Sequence, residues 1–65
     1  MFEREREWAR STGLKTGDRV RIISMNGEPG YRGREGTVTH IDDAGQIHGT
    51  WGGLALTIDD TFETV

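Results

Sequence analysis

The chain has 65 residues with one proline and no cysteine, which limits it to a single small domain and excludes a disulfide framework or a thiolate metal site. Hydrophobic residues make up 32%, enough for one core of the size at which stability is marginal. The net charge of −3 speaks against indiscriminate nucleic-acid binding, and the longest apolar run, Leu54-Ala55-Leu56, is too short to span a membrane.

Residues 2–12 contain good helix formers and precede Gly13, a suitable residue just beyond a helix C-terminus. Glu3/Arg6 and Glu7/Arg10 are favourable i,i+3 pairs, while Glu3/Glu7 and Arg6/Arg10 oppose the helix at i,i+4. A helix this short needs docking to persist, and a frayed arm is the competing reading. Residues 1–13 are therefore expected to form a helical arm and residues 14–65 the globular body. The acids among the arginines, with no apolar stretch, argue against a secretory signal, so the expected compartment is the cytoplasm.

From residue 18 onward the pattern is that of strands. Asp18-Arg19-Val20-Arg21-Ile22 alternates polar and apolar. Glu35–Ile41 and Gln46–Trp51 flank the turn Asp42-Asp43-Ala44-Gly45. Leu54–Ile58 alternates again, Asp59-Asp60-Thr61 suits one helical turn, and Phe62 and Val65 suit a last short strand. Nine of the ten glycines fall between Gly17 and Gly53, as tight turns and bulges require. The expected fold is mainly β: a small five-stranded SH3-like barrel with a short N-terminal α-helix.

Gly17-Asp18-Arg19-Val20 followed by Gly33-Arg34-Glu35-Gly36-Thr37-Val38 resembles the opening of SH3-like barrels, including the KOW-type modules of ribosomal and transcription proteins. The longer run of residues 17–25, 36–39 and 41–48 with Trp51 resembles a family of small phage and bacterial proteins catalogued as a domain of unknown function, four-three-one-four. The similarity covers about residues 15–62. Asn26-Gly27-Glu28-Pro29-Gly30-Tyr31 stands where members carry an Asp/Pro-rich loop, and Gly52-Gly53 replaces a longer one. The resemblance implies a phage or mobile-element setting, with host cytoplasm as the place of action, and no activity.

No catalytic residues are assigned. The sequence has no Gly-x-Ser-x-Gly elbow and no phosphate loop, and a body this small has little room for an enclosed substrate pocket. No cofactor is expected. His40 and His48 face each other across the hairpin if Ile41 pairs with Ile47, and fall on opposite faces if the register slips by one. The first register gathers Ile41, Ile47, Gly49 and Trp51 on one face and is favoured. Solvated histidines are expected over a metal site, because further ligands are missing. The acidic doublets Asp42-Asp43 and Asp59-Asp60 lack calcium-loop spacing and suit turn chemistry.

Charge supplies the functional lead. All eight cations lie between Arg4 and Arg34, giving the first 34 residues +3 and the last 31 residues −6. Arg19, Arg21, Arg32 and Arg34 with Tyr31 form a candidate surface for binding a protein or nucleic-acid partner. A solvated face, or an edge strand protected by charge, is the equally weighted alternative. Trp51 is expected in the core. Trp8 either docks the helix or, with Phe2, anchors a partner or a second copy of the chain. The expected role is a non-catalytic binding module with no membrane. The alternatives are an inhibitor of a host enzyme, by direct blocking or by sequestering a nucleotide, and a homo-oligomeric structural component.

Overall fold

Alternation puts Val20 and Ile22 fully inside, while Arg19, Arg21 and Ile23 are exposed. That segment is strand β1, Arg19–Ser24, in a computed structural model that describes residues 2–65. The described residues form helix α1 (Glu3–Ser11), β1, a 3-10 turn (Pro29–Tyr31), β2 (Glu35–Ile41), β3 (Ile47–Gly49) and β4 (Thr61–Thr64). The strands make one antiparallel sheet in the order β3-β2-β1-β4.

The sheet is open, and this corrects the expected barrel and its fifth strand. Of residues 54–58 only Leu56 pairs, through reciprocal backbone bonds with Ile47 of 2.8 and 2.9 Å. The reason is local. The Asp60 carboxylate accepts from the Thr57 backbone N–H at 2.8 Å and the Thr57 hydroxyl at 3.2 Å, and the Asp60 N–H donates to the Thr57 carbonyl. The chain turns at Thr57 before a ladder can extend. This turn replaces the helical turn expected at residues 59–61, and Thr61 already opens β4. The third strand is also shorter than its pattern suggests, ending at Gly49, yet Trp51 still enters the core at 3% exposure.

The hairpin register is the favoured one: Ile41 opposes Ile47 and His40 opposes His48. Val20, Ile22, Val38, Ile47 and Leu56 are fully enclosed, with Leu14, Met25 and Trp51 around them. Trp51 donates its indole N–H to the Leu54 carbonyl at 2.7 Å, so its polar atom is satisfied.

Helix α1 ends as expected: Thr12 caps it and Gly13 follows at φ +72°. The expected i,i+3 ion pairs do not close among the described residues. Docking holds the helix instead. Ala9 is buried, and Trp8 meets Phe62 of β4 edge to face, with centroids 6.4 Å apart. Gly45, at φ +79° in the β2–β3 turn, lies directly against the Glu5 backbone, where a Cβ has no room. Trp8 is thus half-buried within its own chain, while Phe2 stays exposed. No helix among the described residues is long and apolar enough to cross a membrane.

Candidate functional site

The five residues of the basic and aromatic set fall into three environments. Arg19 and Arg21 lie side by side on the exposed face of β1, as alternation requires, and both are engaged. Arg19 donates to the Thr37 hydroxyl at 3.1 Å and sits 3.7 Å from Glu35. Arg21 donates to Glu35 at 3.0 Å on β2 and to Glu63 at 3.2 Å on β4. These carboxylates sit directly opposite Arg21 in the register, so the arginine ties three strands together. Their hydrogen bonds raise its pKa further, Glu35 contributing most. This face is a charge-balanced ladder.

Tyr31 and Arg34 form the second environment. The 3-10 turn at Pro29–Tyr31 delivers the ring, and Arg34 N–H donates back to the Tyr31 carbonyl. The guanidinium carbon stands 4.2 Å from the ring centroid, and one arm donates to the Trp51 carbonyl at 3.1 Å. Gly52 lies beneath the pair at φ +152°. A Cβ there would meet Tyr31 at 2.6 Å and Arg34 at 2.9 Å. The Gly52-Gly53 doublet is the only sequence signal for this close approach.

Arg32 is the third. It is exposed, and its side chain makes no hydrogen bond or ion pair among the described residues. It borders an open cleft of about 470 Å³ that also includes Ile23, Met25 and Pro29. Arg34 likewise has no carboxylate partner among the described residues. A second cleft, about 370 Å³, lies between α1 and the β2–β3 turn, with Arg6 and Arg10 on one side and Asp42 and Asp43 on the other.

The two histidines stack with ring planes 2° from parallel and centroids 4.3 Å apart. His48 Nε2 is 2.8 Å from Asp42 Oδ2, while Oδ1 accepts from the Ala44 and Gln46 N–H groups at 3.0 Å. These bonds hold the Asp42 carboxyl below its ordinary pKa, the His48 contact most strongly. No group of three or more His, Asp or Glu among the described residues could hold a metal ion.

Sequence reasoning had no means to find the Glu35 and Glu63 partners of Arg21 or the exposure of Ile23 at a bulge. Both depend on which strands lie beside β1 and in what register. The model of a family described as a domain of unknown function (DUF4314) matches residues 11–61. No curated protein and no solved structure matches.

Proposed function

Because the chain belongs to the DUF4314 family, whose description assigns no activity, we propose from its surface that it is a small non-catalytic module binding an anionic partner at Tyr31, Arg32 and Arg34. One observation carries this reading. Of the four arginines that the sequence groups together, Arg19 and Arg21 are neutralised by Glu35 and Glu63, whereas Arg32 and Arg34 have no carboxylate partner among the described residues. A free guanidinium keeps its planar donors for carboxylate or phosphate. Arg34 is also fixed by Tyr31 and the Trp51 carbonyl, so less freedom is lost when it engages a ligand.

Both clefts are open depressions on the surface, which suits contact with a chain more than enclosure of a substrate. Retention on immobilised heparin at low salt tests the reading without presuming the partner. The protein should be retained, and Arg32→Glu with Arg34→Glu should abolish retention while the circular dichroism spectrum is unchanged. Equal retention of the folded double variant refutes the assignment.

A further inference from the structure

The cleft beside Arg32 has a composition of its own. Ile22 and Ser24 of β1 pair with the consecutive residues Phe62 and Thr61 of β4, which leaves Ile23 as the extra residue of a bulge. This large apolar residue is 41% exposed. Met25 and Pro29 line the same depression, and Arg32 is the one ionisable side chain on its wall. An uncovered aliphatic surface costs hydration free energy, and a bulge that re-aims it beside a lone cation makes an anchor pocket with a charged rim.

We propose that this cleft takes an aliphatic side chain from an acidic peptide segment of a protein partner, with a neighbouring carboxylate on Arg32. The inference rests on the anionic-partner reading above and names the partner class. Charge complementarity carries the acidic part, because a single unpaired guanidinium stands over the cleft. The apolar atoms of Ile23, Met25 and Pro29, set among Ser24, Asn26 and Gly27, carry the rest. A nucleic-acid strand asks for ring faces to stack on and several cations along its backbone. No aromatic residue lines this cleft, and Tyr31, adjacent to Arg32 in the chain, has one face covered by Arg34.

The test uses the whole protein, immobilised, with a library of short peptides built from Leu, Ile, Glu and Asp, and labelled oligo-dT as a second probe. Selected peptides should bind. Ile23→Asp and Arg32→Glu should each weaken them about tenfold, a change of about 1.4 kcal/mol. Glutamine-for-glutamate versions of the peptides should lose the same affinity. Ile23→Ser serves as a milder variant should Ile23→Asp fail to fold. Failure to select any peptide, or peptides indifferent to both Ile23 variants, overturns the inference. Should oligo-dT bind instead and weaken in Arg32→Glu with Arg34→Glu, the acidic-peptide inference falls and the anionic-partner reading stands. If that double variant changes neither probe, both fall.

Discussion

The contrast between Arg21 and Arg34 shows how little a residue type says without its neighbours. Both are exposed arginines of the basic half of the sequence. One is consumed by Glu35 and Glu63, and the other lies across Tyr31 with its charge uncompensated. Gly52 makes the second arrangement feasible, since its backbone passes under both side chains. In Gly52→Ala the methyl group should push Tyr31 and Arg34 apart. The strained φ should add about 1–3 kcal/mol of destabilisation. Heparin retention should shift to lower salt while the protein remains folded. Asp42 governs a different property. Its carboxylate caps the hairpin turn and holds His48, and its pKa lies below the ordinary value in the folded state. A carboxyl whose pKa is depressed by folding stabilises the protein above its ordinary pKa and loses that contribution as the pH falls through the folded value. Asp42→Asn should therefore lower stability at neutral pH and flatten the acid limb below about pH 4, read by urea titration across pH.

Among the elements, α1 is the one whose persistence depends on the rest. Nine residues with no closed ion pair among those described would fray in isolation. Ala9, the Trp8–Phe62 contact and the approach of Glu5 to Gly45 supply what propensity does not. Gly45→Ala should cost about 2 kcal/mol or more, because the substitution adds a left-handed penalty to a backbone clash. Undocking should appear as a red shift of Trp8 fluorescence, with Trp51→Phe as the background to isolate it. The β3 hairpin illustrates the reverse case. The favoured register is the observed one, with Ile41 opposite Ile47, and it buries Ile47 fully, although Ile41 at the end of β2 stays exposed.

For the molecule as a whole, few residues carry the stability. Leu56 is fully buried, and its backbone forms an isolated bridge with Ile47 that ties the segment before β4 to the sheet. Leu56→Ala should cost about 3 kcal/mol, against a total on the order of 5 kcal/mol for a domain of this size. The variant should lose most of its cooperative urea transition. Charge also acts at this scale. Arg19 and Arg21 of the +3 half pair with Glu35 and Glu63 of the −6 half. The folded surface therefore presents a smaller basic region than the linear sequence does.

Local pattern determined what depends on near neighbours. Alternation placed Val20 and Ile22 inside and Arg19 and Arg21 outside, Gly13 ended the helix, and Ile47 went to the buried face of the hairpin. Tertiary structure decided what depends on distant partners. The 54–58 segment met the sheet at a single bridge, Leu56 with Ile47, and the sheet stayed open. Glu63, 42 positions from Arg21, joined it, and that contact separated Arg32 and Arg34 from the rest of the basic set. The physical reason is range: side-chain alternation is a property of the extended backbone itself, whereas pairing of charges and closure of a sheet are settled by which segments fold against one another.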